Sequence, residues 1–230
     1  MKVSVIIPVY NEEKTIETLL RQVLDVDLKD IEKEIIIVDD SNDGTKKILT
    51  DNFAKNNKVK LVLRDKPLGK GNAIREGIKH ATGEIILIQD ADLEYDPQDY
   101  PALIAPIING ECKVVYGSRF LSKINKHKYG LNFFATKLLS WMTNILYFAD
   151  ITDEPTCYKV FDKDVLKSIN LKCEGFEFCP EVTAKTLKKG HKIVEVSIRY
   201  YSRSKEEGKK INWKDGAQAV YTLLKYRFFD

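Results

Sequence analysis

Four carboxylates stand at alternate positions of Q-D-A-D-L-E-Y-D, residues 89–96, directly after the apolar run E-I-I-L-I. Side chains at alternate positions of an extended segment point the same way, so these groups would repel one another unless a cation lay between them. Hard divalent ions prefer carboxylate oxygens and are commonly shared with substrate phosphates. We therefore predict that Asp90 and Asp92 hold Mg²⁺ or Mn²⁺, with Glu94 in support. Asp96 precedes a proline and is predicted to cap a helix instead.

Apolar runs that alternate with helical patterns place this segment in a predicted sheet. The runs occupy residues 3–9, 34–38, 59–63, 84–88 and 113–117. Near-continuous apolar strands between helices are typical of a mostly parallel sheet that is covered on both faces. The sequence therefore predicts an α/β fold with a Rossmann-like, mostly parallel central sheet flanked by helices. In such sheets ligands bind at the carboxyl ends of the strands.

Polar residues follow several of these strands. Y-N-E follows the first strand, D-D-S-N-D-G-T the second and D-A-D-L-E the fourth. Because the carboxyl ends of parallel strands meet at one edge, we expect carboxylates from separate parts of the chain to converge there. Lys70 and Gly71 begin the helix after the third strand, where backbone N–H groups and an ammonium favour phosphate oxygens.

Composition limits the class of protein. The 230 residues are 43% hydrophobic, enough for a substantial core, and a net charge of +3 argues against a nucleic-acid partner. The four cysteines, without CxxC spacing or a nearby histidine cluster, indicate neither a zinc site nor a disulfide framework. The apolar run before Pro8 is too short for a signal peptide, so we expect a cytoplasmic protein.

The second half contains a long apolar segment. Residues 129–149 follow the basic cluster K-I-N-K-H-K, and Lys137 is their one charged residue. On a helix the apolar side chains form a stripe and the polar ones lie opposite, which favours a helix lying in a membrane interface with its basic leader near anionic head groups. A core helix or a dimer helix remains the alternative.

Six motifs together resemble those of family 2 glycosyltransferases with the GT-A fold. In chain order they are S-V-I-I-P-V-Y-N-E, V-D-D-S-N-D-G-T, G-K-G-N-A-I-R-E-G, A-T-G-E, Q-D-A-D-L-E and G-S-R-F. The sequence is most similar to the polyprenyl-phosphate branch typified by dolichyl-phosphate mannose synthase, closely over 3–120 and loosely over 150–210. The resemblance implies a nucleotide-diphosphate sugar donor of GDP-mannose or UDP-hexose type, a divalent metal at the D-x-D segment, and an inverting transfer.

The resemblance also implies roles for single residues. Those assigned to the nucleotide sugar follow predicted strands or begin the third helix: Pro8, Tyr10, Asn11, Glu12, Asp39, Asp40, Lys70, Gly71 and Asp90. Either Asp39 or Asp40 would contact the base or ribose, and Asp92 would hold the metal with Asp90 and Glu94. We expect one GT-A domain over 1–230, with the nucleotide-sugar half at 1–120 and the acceptor and membrane half at 121–230.

The chemical nature of the acceptor determines whether the second half of the chain must provide a base or cations. Relatives that glycosylate a hydroxyl use an acidic residue in the segment I-T-D-E-P as a base, which makes Asp153 or Glu154 the candidate here. A polyprenyl or dolichyl phosphate is already ionised and needs cations instead, for which the candidates are Arg119, Lys159 and Arg203. With Asp92, the residues Arg119 and Glu154 are the predicted catalytic groups. The Q-x-x-R-W motif of processive synthases is absent from the sequence, which favours transfer of a single sugar.

Three other functions stay open at this point. A glycan hydroxyl could be the acceptor, the G-K-G-N loop also resembles that of sugar nucleotidyltransferases, and the chain could be a non-catalytic sugar-nucleotide or membrane-binding module. No transmembrane segment is expected, so we expect a peripheral protein on the cytoplasmic face of a membrane. Stable binding to the membrane would require the helix near 129–149, a membrane-anchoring partner or a homodimer.

Overall fold

Seven strands form one sheet in the computed structural model, which describes residues 1–122, 125, 131–202 and 213–229. They are β1 (Lys2–Val9), β2 (Glu32–Asp39), β3 (Val59–Leu63), β4 (Ile85–Ile88), β5 (Val114–Ser118), β6 (Lys159–Asp162) and β7 (Val194–Ser197). Their order across the sheet is β3-β2-β1-β4-β6-β5-β7. The pairs β1–β2, β1–β4, β2–β3 and β5–β7 are parallel, whereas β6 is antiparallel to both β4 and β5.

Helices flank the sheet. They are α1 (Ile16–Asp25), α2 (Thr45–Phe53), α3 (Lys70–His80), α4 (Tyr100–Ile108), α5 (Leu131–Tyr147), α6 (Lys163–Ser168), α7 (Phe178–Lys188) and α8 (Trp213–Phe228), with a short 3₁₀ helix at Pro97–Asp99. The predicted α/β fold with a mostly parallel central sheet is confirmed. The sequence did not predict β6, α6 or α7.

The core lies on both faces of β1, β2 and β4. Every residue of β4 is buried, as are five successive residues of β1, so these strands are apolar throughout rather than alternating. Helix α3 packs close to β1 because Gly77 has no side chain: a Cβ there would lie 2.4 Å from Ile6 Cγ2. The close approach fixes the carboxyl ends of the strands relative to the start of α3.

Strand β6 brings the I-T-D-E-P segment to the carboxyl edge of the sheet. It pairs with β4 at Leu87↔Val160 and Ile85↔Asp162, so it begins where β4 ends. The residues before β6 therefore lie at the same edge as the residues after β1, β2 and β4. Four residues are too few to show a period, which explains why the sequence did not reveal this strand.

Helix α5 packs against the protein with polar side chains and with Leu139 and Tyr147, which form a hydrophobic cluster with α7 and α8. Thr143 is fully buried, Ser140 Oγ accepts a hydrogen bond from the Glu154 N–H (2.9 Å), and Asn144 exchanges two hydrogen bonds with Ile151 (2.9 and 3.0 Å). The solvent-facing side carries the apolar residues Phe134, Leu138, Trp141 and Ile145, each at least half exposed. Within the described ranges no helix is both long enough and apolar enough to cross a bilayer.

Glu34 of β2 ties three parts of the sheet together. Its carboxylate accepts hydrogen bonds from Ser4 Oγ in β1 and from the N–H groups of Thr82 (2.7 Å) and Gly83 (3.2 Å) before β4, and it forms an ion pair with Lys2 (3.1 Å). Burial alone would raise its pKa, but these bonds outweigh burial and lower the pKa of Glu34 to about 2.

We predict that Glu34 makes the fold sensitive to acid. Because its pKa is depressed in the folded state, its stabilisation is fully present above its unfolded value near 4.5 and is lost as the pH falls towards about 2. Glu34→Gln should lower the free energy of unfolding at pH 7 by about 2 kcal/mol. It should also flatten the decline below pH 4.5, as measured by urea denaturation. Glu32→Gln, at an exposed position of the same strand, is the control. Equal acid dependence in both variants would contradict the assignment.

Candidate active site

The loop after β1 is held against the loop after β2. Asn11 has a φ of 53°, a conformation that asparagine tolerates better than most residues. Its N–H donates to Ser41 Oγ (2.7 Å) and its Oδ1 accepts from the N–H of Asn42 (3.0 Å). The N–H of Glu12 donates to Thr45 Oγ1 (3.0 Å). The Y-N-E motif therefore serves to fix two strand-end loops relative to each other.

Asp39 ends β2 with a buried carboxylate. It is completely buried, and its Oδ1 accepts hydrogen bonds from the N–H and hydroxyl of Ser41. Its Oδ2 has no hydrogen-bond partner in the part of the chain that the structure describes. Burial raises the pKa of Asp39. A buried oxygen without a partner is costly, so Oδ2 is suited to an N–H or O–H donor brought by a ligand.

Two further residues assigned to the nucleotide lie beside this loop. Tyr10 follows β1 directly and leaves 41% of its surface exposed, so its ring is accessible to a planar ligand. Pro8 lies within β1 opposite Val38 of β2 and is partly buried.

Asp40 is bound by protein groups instead. Arg64 donates hydrogen bonds from Nε to Oδ1 of Asp40 and from Nη2 to Oδ2 (2.7 Å). The N–H of Leu68 also donates to Oδ2 (3.0 Å). Of the two carboxylates left open by the sequence, Asp39 is thus the one with a buried oxygen that lacks a partner among the described residues. Sequence reasoning missed Arg64, although it directly follows β3 and the strand-end rule applied to the other strands would have found it.

The carboxylates after β4 have different surroundings. Asp90 forms an ion pair with Lys70 of α3 (2.6 Å). Asp92 Oδ1 accepts a hydrogen bond from the Glu94 N–H (3.2 Å), and Glu94 is buried with its Oε2 accepting from the hydroxyl of Tyr200 (2.8 Å). Sequence reasoning missed the Tyr200 contact, because 106 positions of the chain separate Tyr200 from Glu94 and no local pattern reports such a pairing.

Asp96 caps a helix, as predicted. Its Oδ1 accepts from the N–H of Gln98 (2.9 Å) at the start of the 3₁₀ helix. Its other oxygen pairs with Arg199 (3.0 Å), which also binds Asp99 (2.8 Å). Asp96 is therefore engaged away from the other three carboxylates.

The donor set after β4 suits a hard divalent ion. Among the described residues no group of three His, Cys, Asp or Glu side chains surrounds a common ion position. Mg²⁺ and related ions are commonly held by one or two carboxylates while substrate phosphates and water supply the other oxygens. Asp90 and Asp92 at the end of one strand meet that requirement, and Glu94 lies two residues further on.

The start of α3 is capped by the protein, which corrects the role predicted for Gly71. The N–H of Gly71 donates to Gly175 O (3.1 Å) and that of Asn72 to Glu174 O (3.0 Å). These carbonyls occupy the place where a phosphate was expected. Glycine is required at 71 for packing, since a Cβ would lie 2.9 Å from Gly175 O. Lys70 remains at the site through Asp90.

Arg119 and Asp153 form the buried pair of the acceptor side. Arg119 Nε and Nη2 donate to the two oxygens of Asp153 (2.7 and 2.6 Å), and Asp153 is completely buried. The N–H of Asp153 donates to Glu195 of β7 (2.9 Å). The Arg119 guanidinium also lies 5.0 Å from the ring centroid of Tyr200.

Glu154 and Lys159 lie inside the protein. Glu154 is completely buried, with Oε1 accepting from Thr183 (3.1 Å), and burial raises its pKa. Lys159 is also completely buried: its ammonium donates to Glu154 O (2.6 Å) and lies 3.5 Å from the ring centroid of Tyr116. Contrary to the prediction, Lys159 is thus not presented to an acceptor phosphate. Arg203 lies outside the described residues.

Comparison with known proteins identifies the family. The Glycosyl transferase family 2 model matches residues 4–169, and the chain belongs to this family. The resemblance drawn from the six motifs is confirmed, as is the assignment to the glycosyltransferase class of enzymes.

Two curated relatives match almost the whole chain. Dolichol-phosphate mannosyltransferase of Pyrococcus furiosus is 31% identical over 98% of this chain and 64% of its own length. Low-salt glycan biosynthesis hexosyltransferase Agl6 of Haloferax volcanii is 28% identical over 96% of this chain and 52% of its own length. The chain thus spans between half and two thirds of each of these two relatives.

The fold matches that of a solved family enzyme. Glucosyl-3-phosphoglycerate synthase from Mycobacterium tuberculosis, in complex with Mn²⁺, UDP and phosphoglyceric acid, aligns with a TM-score of 0.76 and 20% identity over 100% of this chain and 79% of that one. The same enzyme with Mg²⁺ and UDP aligns with a TM-score of 0.72. The GT-A fold is therefore established for this chain.

We predict opposite effects of neutralising the two adjacent carboxylates. Asp40→Asn leaves Arg64 without its buried partner and should lower the free energy of unfolding by about 3 kcal/mol. Asp39→Asn keeps an oxygen for Ser41 and removes a buried charge, so it should leave stability at pH 7 unchanged or higher. Urea denaturation measures both. Destabilisation of Asp39→Asn to the same extent as Asp40→Asn would contradict the division of roles.

Proposed function

We propose that this chain transfers one sugar from a nucleotide-diphosphate sugar, with inversion, to a polyprenyl or dolichyl phosphate, and that the reaction requires Mn²⁺ or Mg²⁺. The relative from Pyrococcus furiosus is named for transfer to dolichol phosphate, and the solved neighbour binds UDP with either metal.

The donor base would lie at the end of β2. Asp39 Oδ2 is buried and lacks a partner among the described residues, so it can accept the ring N–H that both uracil and guanine carry. The exposed ring of Tyr10 offers a face on which such a base can stack. Asn11 and Glu12 hold the two loops together around that position.

The diphosphate would lie next to the carboxylates after β4. Asp92, with Asp90 and Glu94, would hold the metal, whose chemical contribution is to neutralise the departing diphosphate. Lys70 supplies a further positive charge at this place, because its ammonium lies 2.6 Å from Asp90. The protein's share of catalysis is to position the donor and to balance charge.

The burial of Asp153 and Glu154, the two candidate bases, favours a phosphate acceptor over a hydroxyl acceptor. Asp153 is completely buried and bound on both oxygens by Arg119. Glu154 is completely buried as well, with Thr183 on Oε1 and no partner for Oε2 among the described residues. A hydroxyl acceptor needs a base within hydrogen-bond reach, whereas a phosphate is ionised at neutral pH and can attack unaided. Asp153 accepts hydrogen bonds from Nε and Nη2 of Arg119, and Nη1, which takes no part in this pair, would donate to a phosphate oxygen.

The outward face of α5 supports a lipid acceptor. Ser140 and Asn144 hydrogen-bond to the protein and Leu139 and Tyr147 pack against α7 and α8, while Phe134, Leu138, Trp141 and Ile145 face outward. Helix α8, which packs against α5, also exposes aromatic residues, among them Trp213, Tyr221 and Phe228. Lysine-rich segments precede both helices in the sequence, and anionic head groups would attract them.

We predict that substitutions at Asp92 and Glu154 differ in their effect on the rate of sugar transfer. Asp92→Asn should lower sugar transfer at least about 100-fold, since the charge stabilisation lost is worth several kcal/mol. Glu154→Gln should retain most activity, because no base is needed. Radiolabelled sugar incorporated into extracted lipid measures both. A loss of about 10²–10⁴-fold in Glu154→Gln would instead indicate a general base and a hydroxyl acceptor.

A second prediction concerns the membrane surface. Leu138→Glu places a charge on the exposed apolar face of α5 and should weaken binding to phosphatidylglycerol vesicles about 10-fold or more, as measured by co-sedimentation. Leu68→Glu is the matched control, since both leucines are 50% exposed. Equal binding by the two variants, or a Leu138-dependent dimer in analytical ultracentrifugation, would contradict a membrane role for this face.

A further inference from the structure

The segment after β7 is fastened to the loop that carries the D-x-D carboxylates. Arg199 binds Asp99 through its N–H (2.7 Å) and its guanidinium (2.8 and 2.9 Å). The N–H of Tyr201 donates to Glu94 O (2.8 Å), and Tyr200 forms an isolated antiparallel bridge with Tyr95. Residues 199–201 and 94–99 are thus one connected unit, although about 100 residues separate them in the sequence.

Tyr200 is the residue in this unit that contacts both halves of the transfer site. Its hydroxyl donates to Glu94 Oε2 (2.8 Å), on the metal side. Its ring lies 5.0 Å from the guanidinium carbon of Arg119, on the acceptor side, which is within the range of a cation–π contact. The same ring packs edge-on against Tyr95 at 5.3 Å. One side chain therefore contacts a predicted metal-site carboxylate and the predicted phosphate-binding arginine.

The backbone of Tyr200 is held independently of its hydroxyl. Its N–H donates to Asn125 Oδ1 (3.0 Å), and Asn125 Nδ2 donates to Ile198 O and Arg119 O (2.8 Å each). Removing the hydroxyl would therefore leave the segment in place. This separation makes the role of the phenol group testable without unfolding its surroundings.

We propose that Tyr200 is a positioning residue of the transfer site, which orients Glu94 through its hydroxyl and Arg119 through its ring. The inference rests on the proposed function, because it assigns a task to residues on the donor and acceptor sides of that reaction. A carboxylate fixed by a neighbouring hydroxyl has fewer rotamers to lose when it meets a cation, and outer partners of this kind commonly tune metal affinity. A flat ring beside Arg119 likewise restricts its guanidinium plane.

Two substitutions at Tyr200 separate the two contacts. Tyr200→Phe removes the hydroxyl and keeps the ring, whereas Tyr200→Leu removes both. Tyr201→Phe is the matched control, since it makes the same chemical change at the neighbouring, 60% exposed side chain. The dissociation constant of Mn²⁺ is measured by electron paramagnetic resonance with UDP or GDP present and no acceptor. The KM for polyprenyl phosphate is measured separately, and thermal unfolding confirms that each variant folds.

The expected pattern differs between the variants. Tyr200→Phe should raise the Mn²⁺ dissociation constant about 10-fold and raise the KM for polyprenyl phosphate less than Tyr200→Leu does, since its ring stays beside Arg119. Tyr200→Leu should raise both, the KM by about fivefold. Tyr201→Phe should change neither. An unchanged Mn²⁺ dissociation constant in Tyr200→Phe, or an equal rise in Tyr201→Phe, would overturn the inference.

The Mn²⁺ measurement also distinguishes this inference from the proposed function. Wild-type protein that binds Mn²⁺ in a Tyr200-dependent manner but forms no lipid-linked sugar would reject the lipid acceptor and keep the positioning role. Wild-type protein that glycosylates polyprenyl phosphate while Tyr200→Phe binds Mn²⁺ normally would do the opposite. Wild-type protein that binds no Mn²⁺ with either nucleotide would reject both.

Discussion

Charge compensation at the carboxyl edge of the sheet is the constraint on which the site depends. Parallel strands bring their acidic ends together, and the fold matches three of these carboxylates with a cation from another element. The pairs are Asp40 with Arg64, Asp90 with Lys70 and Asp153 with Arg119. Asp39 differs from them, since its outer oxygen is buried without a partner in the described chain. Arginines thus neutralise Asp40 and Asp153 within the protein, whereas Asp39 keeps a buried oxygen for a donor from a ligand.

Much of the sheet and of the donor edge could be predicted from the sequence because both follow local rules. Apolar runs mark β1, β2 and β4, and the strand-end rule locates Asp39 and Asp92. The acceptor side could not be predicted in the same way. Strand β6 is only four residues long, and its antiparallel insertion is what places Asp153 and Lys159. Burial of Lys159 and the capping of α3 by Glu174 and Gly175 depend on packing between distant segments, which no local pattern reports.

Helix α5 shows how one pattern can be consistent with two structures. Its sequence predicts two distinct faces, and either face could have been turned toward the protein. Hydrogen bonds decide the orientation, since Ser140 and Asn144 bind the backbone of the segment that leads to β6. These bonds position the segment before β6, and Phe134, Leu138, Trp141 and Ile145 are left exposed on the other side of the helix. The same helix would link the membrane to the transfer site.

The most direct test is to identify the product. Wild-type protein is incubated with Mn²⁺ and GDP-mannose or UDP-hexoses, and is offered either a polyprenyl phosphate or the corresponding free polyprenol. Mass spectrometry of the extracted lipid and NMR of its anomeric proton then report the linkage and the configuration. We expect a single sugar on the phosphate, with inverted configuration, and no product from the alcohol. A sugar attached to the free hydroxyl, or a product that retains the donor's configuration, would contradict the proposed reaction.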